Sequence, residues 1–207
     1  MSCARRSILA AVAAFLLSAG AAAAAVPKAE PRLAAIEAYL DGLRSFRARF
    51  TQLGPRGELA TGTIYVRRPG RMRVDYDPPS KILLIATDWR LIYYDGSIRQ
   101  VNVIPLARTP LAFLLSERIR LGGEIAVLAL EEGQGMLSLT LARRAEPEQG
   151  QVTLEFARDP LRLRGWTVRD AQNRETRVEL DTLETEVALD PELFHWREPS
   201  IFGYPDD

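Results

Sequence analysis

The rhythm of apolar and polar positions changes once along this chain, from a helical period to a strand period, close to residue 46. Ahead of the change, Leu33, Ile36, Leu40 and Leu43 recur at spacings of three and four with Tyr39 beside them. That spacing predicts an amphipathic helix from about Arg32 to Ser45. Beyond it, Phe46, Ala48 and Phe50 alternate with Arg47, Arg49 and Thr51 until Gly54-Pro-Arg-Gly57 turns the chain. Strand patterns follow at Glu58–Arg68, Arg71–Asp77, Lys81–Thr87, Arg90–Tyr94 and Ile98–Ile104. Thr109-Pro-Leu-Ala-Phe-Leu-Leu-Ser116 reads as a short helix, with Thr109 as N-cap and Pro110 at the first helical position. Five more strand patterns lie near Glu124–Glu131, Gly135–Arg143, Gln151–Arg158, Leu161–Arg169 and Arg174–Thr182. Phase slips where Leu161 and Leu163 give way to Trp166 and Val168, which predicts a bulge near Gly165.

Strands joined by short turns pair antiparallel, because parallel neighbours need long crossovers. About ten of them twist and curl and do not stay flat. The expected fold is therefore mainly β (α+β): a curled antiparallel half-barrel sheet with a helical lid. No linker-like run divides the strands, so residues 26–207 are expected to form a single domain. The apolar content exceeds what a one-sided sheet needs. Ile82, Leu83, Leu84 and Ile85 load both faces of one strand, and Leu111, Phe113, Leu114 and Leu115 crowd the lid. An ordinary core under the helices accounts for this, and so does a cavity that accepts an apolar ligand.

One polar residue breaks the pattern. Ile64, Val66 and Arg68 share a strand face by period two, while Met72, Val74 and Tyr76 form the apolar face of the next strand. An arginine on an apolar face is costly unless its donors find acceptors. Arg68 is either a strand-end residue reaching for water or a placed polar group at the mouth of a hydrophobic space.

The N-terminus bears on compartment. Arg5 and Arg6 precede an apolar run from Ile8 to Leu17, and Gly20 to Ala25 offers A-x-A frames, so residues 1–25 read as a cleavable signal peptide for general secretion. The single cysteine, Cys3, leaves with it, and a soluble periplasmic protein without thiol chemistry or lipid anchor is expected. Losing Arg5 and Arg6 from the 27 basic residues leaves 25 against 27 acidic ones. That near balance provides no long-range attraction for nucleic acid or anionic lipid.

Reactive groups do not assemble in the sequence. His195 is the only histidine, which excludes a multi-histidine metal site and points to a surface or rim position. Ser80, Ser97 and Ser116 lack a nucleophile-elbow context. Asp75 with Asp77 and Glu184 with Glu186 read as solvated pairs. No phosphate loop or dinucleotide fingerprint occurs. A binding protein without cofactor or metal is expected, with a periplasmic hydrolase as the different-class alternative.

At Arg67-Arg-Pro-Gly-Arg-Met-Arg-Val-Asp-Tyr76 the chain resembles the LolA-type periplasmic outer-membrane lipoprotein carriers. Phe46-Arg-Ala-Arg-Phe-Thr-Gln52, Asp88-Trp-Arg-Leu-Ile-Tyr-Tyr-Asp95, Thr109-Pro-Leu-Ala112 and Asp190-Pro-Glu-Leu-Phe194 extend the likeness along nearly all of residues 26–207. The resemblance implies a hydrophobic cavity under the lid and a monomer that takes acylated lipoproteins from an inner-membrane ABC transporter. It implies delivery to the outer membrane, often through a LolB-type receptor. It also implies that Arg68 latches the lid and drives ligand transfer, and that Met72 stands where the family often has an aromatic. On strand phase, Ile64, Val66, Met72, Val74 and Tyr76 are assigned to the lipid-binding cavity, with Leu111, Phe113 and Leu114 from the lid. LolB itself should carry an anchoring cysteine, and a related lipid-sensing regulator should bring a second domain.

Overall fold

A computed structural model describes residues 30–109 and 112–197. One helix, α1 (Glu30–Gly42), leads into β1 (Ser45–Leu53), β2 (Leu59–Arg67), β3 (Arg71–Tyr76), β4 (Ile82–Thr87), β5 (Arg90–Asp95) and β6 (Gln100–Pro105). After the lid region come β7 (Ile125–Gly133), β8 (Met136–Arg143), β9 (Gly150–Arg158), β10 (Leu161–Asp170) and β11 (Glu175–Thr185). The eleven strands form one antiparallel sheet in the order β6-β5-β4-β3-β2-β1-β11-β10-β9-β8-β7. The sheet does not close, and β6 and β7 are its two edges. The described parts of the connection between them, residues 106–109 and 112–124, lie at the mouth of the curl.

The helix ends at Gly42, three residues before the expected Ser45, because Ser45 already pairs with Arg67 across β1 and β2. Its apolar stripe is buried as the spacing requires, with Ile36 and Leu40 almost wholly covered. The inner face collects Phe46, Ala48, Phe50, Ile64, Val66, Val74, Leu137, Leu139, Leu141, Val152, Leu154, Phe156, Leu163, Val178 and Leu180 in one cluster with the helix. The expected bulge is present: the β9–β10 register shifts between Leu163 and Gly165. There the Leu163 N–H donates to Tyr39 Oη at 2.9 Å, which ties helix to sheet. A Cβ on Gly165 would lie 2.2 Å from the Val178 carbonyl oxygen, so the neighbouring strand's backbone occupies the side-chain space.

The short helix expected over Thr109–Ser116 is replaced by two 3-10 turns, Leu106–Arg108 and Ala112–Leu115. Thr109 closes the first turn, donating both its N–H and its hydroxyl to the Leu106 carbonyl. Short 3-10 pieces suit a connection whose route is set by what it must span.

Both faces of β4 and β5 are apolar because the convex side has a small core of its own. Ile85, Ile92 and Tyr94 are buried there with Phe194. The C-terminal 3-10 turn Pro191–Phe194 delivers Phe194, with Asp190 capping through the Glu192 N–H at 2.9 Å. Trp196 continues the cover over Tyr94 at 5.9 Å between ring centres. His195 is exposed, its Nδ1 2.9 Å from Glu192 Oε1.

On the same face Asp77 takes hydrogen bonds from Arg49 and, at 2.6 Å, from the Thr61 hydroxyl. Arg49 first and Thr61 second hold its carboxyl at about 2. A depressed carboxylate pKa adds stability that is present above the ordinary aspartate value and lost as pH falls through the lowered one. The stability difference between wild type and Asp77→Asn, measured by urea unfolding, is expected at pH 7 and should shrink below pH 4, closing through about pH 2. A difference unchanged at pH 2 would contradict this.

Candidate functional site

The mouth is organised around the Arg68 side chain, which is 1 % exposed. The β2–β3 turn carries it beneath the end of α1 and beside the lid. Nε donates to the Ser116 carbonyl at 2.7 Å, and Nη2 reaches the Glu117 carbonyl at 3.2 Å. Nη1 donates to the Leu40 carbonyl at 2.6 Å and to the Leu43 carbonyl at 3.3 Å. Nη2 also meets Asp41 Oδ1 at 3.3 Å. A guanidinium offers five N–H donors, and this one uses them on two separate elements.

Leu40, Asp41 and Leu43 belong to the last turn of α1 and the residue beyond it, where carbonyls have no intrahelical partner and partial negative charge accumulates. That turn contains no basic residue of its own. Arg68 supplies the missing cation from another element. Burial lowers its pKa from the ordinary arginine value, with Asp41 acting in the opposite direction. The group stays charged, since arginine is not deprotonated in proteins. A backbone bond from the Gly70 N–H to the Leu115 carbonyl, 2.8 Å, ties the same turn to the lid.

Beneath this junction lies an apolar cavity of about 40 Å³, lined by Leu40, Leu43, Phe46, Ile64, Val66, Met72, Leu114, Leu115, Ile119, Leu163 and Trp166. Room for about three water molecules remains, and none for an acyl chain. The lid itself fills the curl, through Leu114, Leu115 and Ile119. Strands β2 and β10 both line the cavity although β1 and β11 separate them in the sheet, which is what the curl accomplishes.

Of the residues assigned to the cavity from strand phase, Ile64, Val66, Met72 and Leu114 meet there. Val74 and Tyr76 share their face but sit farther along β3. Tyr76 packs edge-on against Phe50 at 5.4 Å and donates to Gln52 Oε1 at 2.8 Å, which fits a core residue. A Cβ on Gly62 would strike that Phe50 ring at 2.8 Å. Phe113 packs from the lid against the core cluster and lines an open groove of about 460 Å³ with Trp89, Ile119, Arg120 and Ile125. Leu111 lies outside the described residues.

Two residues escaped the sequence reading. Asp41 Oδ1 accepts the Ile119 N–H at 2.9 Å, and Glu37 Oε2 accepts the Leu121 N–H at 2.6 Å. Arg120 approaches both carboxylates, at 3.5 Å from Glu37 and 3.8 Å from Asp41. The Ile119 N–H does most to hold the Asp41 carboxyl below its ordinary value, against burial and with help from Arg68 and Arg120. A signal was available. Acids in the C-terminal half of a helix oppose its dipole, so Glu37 and Asp41 are locally unfavourable unless another element employs them.

Comparison with known proteins places this architecture. The family model described as "Outer membrane lipoprotein carrier protein LolA" matches residues 41–197. An outer-membrane lipoprotein carrier protein of Methylococcus capsulatus is 29% identical over 175 residues, covering 80% of this chain and 83% of that one. One from Chromohalobacter salexigens is 27% identical over 173 residues, 79% of this chain and 81% of that one. Among solved structures, a LolA superfamily protein from Nitrosomonas europaea aligns with 79% of this chain and 97% of its own at a TM-score of 0.45 and 13% identity. Since the matched span runs from the end of α1 through every strand and the lid, this chain belongs to the LolA family of outer-membrane lipoprotein carrier proteins.

Proposed function

We propose that this protein is a periplasmic carrier that shelters the acyl chains of lipoproteins under its lid, and that Arg68 is the latch that makes the shelter reversible. The observation that carries this reading is the pairing of a nearly filled apolar curl with a lid whose backbone, at Ser116 and Glu117, is held by one buried guanidinium. Opening the lid withdraws Leu114, Leu115 and Ile119 and gives their place to lipid.

Magnitudes explain why a latch is needed. Burying a methylene gains about 0.8 kcal/mol, so three acyl chains of some 45 methylenes represent a gross term near 35 kcal/mol. No reversible complex uses that much, because affinities level off at roughly 18–21 kcal/mol. The working comparison is membrane against cavity, two apolar phases that nearly cancel. A bias toward the closed, empty state then decides whether cargo is released, and charge-assisted hydrogen bonds of about 1.5–3 kcal/mol each are the right size.

On this reading an inner-membrane ABC transporter loads the carrier, and a LolB-type receptor or the outer membrane accepts the cargo. The protein works as a monomer after removal of residues 1–25, by binding and release without a chemical step. The test uses spheroplasts that retain the transporter. Purified protein is expected to bring outer-membrane lipoproteins into solution as a one-to-one complex. Failure to release any lipoprotein while a known carrier succeeds in parallel would sink the proposal.

A further inference from the structure

The lid is held twice, and the second hold belongs to no residue assigned so far. We infer that Glu37 and Asp41 form a carboxylate clasp on the lid backbone, and that Asp41 couples this clasp to Arg68. The bonds are given by the structure; their role in lid opening rests on the carrier reading.

Geometry makes the clasp specific. Carboxylates at i and i+4 on a helix stand one turn apart, with Cβ atoms about 6 Å from each other. Residues 119–121 of the lid lie outside any helix or strand, and their alternate amides face this pair. Asp41 takes the Ile119 N–H while Glu37 takes the Leu121 N–H. Between them Arg120 turns outward and back to both acids, while Ile119 is 3 % exposed and lines the cavity. A slip of the lid by one residue would leave both carboxylates without their amides and would move Ile119 off the cavity. The clasp therefore fixes the register of the lid as well as its closure.

Every one of these holds is on lid backbone: the carbonyls of Ser116 and Glu117 for Arg68, the amides of Ile119 and Leu121 for the acids. Arg120 adds a side-chain contact to both acids, and the apolar lid side chains Leu114, Leu115 and Ile119 are left to line the cavity. Asp41 alone touches both systems, since its Oδ1 accepts from Ile119 and from Arg68 Nη2.

The charged groups facing Asp41 are Arg68 from the β2–β3 turn and Arg120 from the lid; Arg120 faces Glu37. Cations and an amide stabilise the ionised Asp41 carboxylate, so its hold persists above the ordinary aspartate pKa and weakens only below it. Across neutral and mildly acidic pH the Asp41 half of the clasp is therefore not released by protonation.

Amide hydrogen exchange on the purified protein tests this. In Glu37→Ala/Asp41→Ala, the Ile119 and Leu121 amides should exchange at least tenfold faster than in wild type, with the Leu139 and Leu154 amides of β8 and β9 unchanged. Glu37→Gln/Asp41→Asn, which keeps acceptor oxygens but removes charge, should fall between. Arg68→Leu should accelerate Ile119 exchange less in an Asp41→Asn background than in wild type, because the two act through one carboxylate. Wild-type exchange at both lid amides, or strictly additive effects of Arg68 and Asp41, overturns the inference. If the alanine pair does not fold, the shape-preserving Glu37→Gln still reports at Leu121. No cargo enters this measurement, so its failure leaves the carrier reading standing, and failure of lipoprotein release leaves the clasp standing.

Discussion

Arg68→Leu is expected to fold, to capture lipoprotein, and to unload it at least tenfold more slowly than wild type. In the closed state the guanidinium, itself 1 % exposed, donates to the Leu40, Leu43, Ser116 and Glu117 carbonyls. Leucine fills part of the volume and satisfies none of them. When the lid is open the Ser116 and Glu117 carbonyls can turn to water, so the loss falls on the closed state. Hydrogen bonds to a charged group contribute about 1.5–3 kcal/mol each, and the net loss of one or two shifts the lid roughly tenfold to over a hundredfold toward open. An open carrier keeps its ligand because closure no longer competes with it. Loading and release are separable in a two-membrane transfer assay. Wild-type release kinetics for Arg68→Leu would remove the latch from the mechanism.

The second large effect separates core from cavity, which strand phase left open. Phe156→Ala is expected to lower stability by about 3–5 kcal/mol, as for any fully buried phenylalanine. In a domain of this size that depresses the melting temperature by roughly 10 °C. Phe156 has no exposure, receives the Tyr39 ring edge-on at 6.0 Å, and sits on an interior strand, β9. Leu114→Ala should act differently. Leu114 is on the lid, partly buried, and lines the remaining cavity. Its loss weakens closure, so uptake of an apolar fluorescent probe should rise while the melting temperature moves by no more than a few degrees. A Leu114→Ala melting loss equal to that of Phe156→Ala would make Leu114 plain core.

Much of the fold was legible because strand signals are local. Leu137, Leu139 and Leu141, or Val152, Leu154 and Phe156, declare their face by alternation, and all six are buried. The bulge at Gly165 announced itself as a phase slip, since a one-residue insertion must reverse which side chains point inward. The helix expected from the Thr-Pro start is present as 3-10 helix at Ala112–Leu115 and not as an α-helix. That chemistry also suits a turn, and only the span from β6 to β7 selects between them. The apolar excess on β4 and β5 was legible as excess, but part of it serves the convex cluster with Phe194, brought from more than a hundred residues away.

At the mouth, sequence alone determined that Arg68 is anomalous, because one strand's periodicity suffices to show a charge on an apolar face. Its partners come from the last turn of α1 and from the lid, segments 28 and 48 residues distant in the chain. No local pattern encodes such a meeting, and only the folded sheet decides it. The same holds for Glu37 and Asp41, whose spacing puts two acids on one face of α1 but says nothing of the amides they grip. Hydrogen-bond partners across long loops are a property of topology, and periodicity reports only on faces.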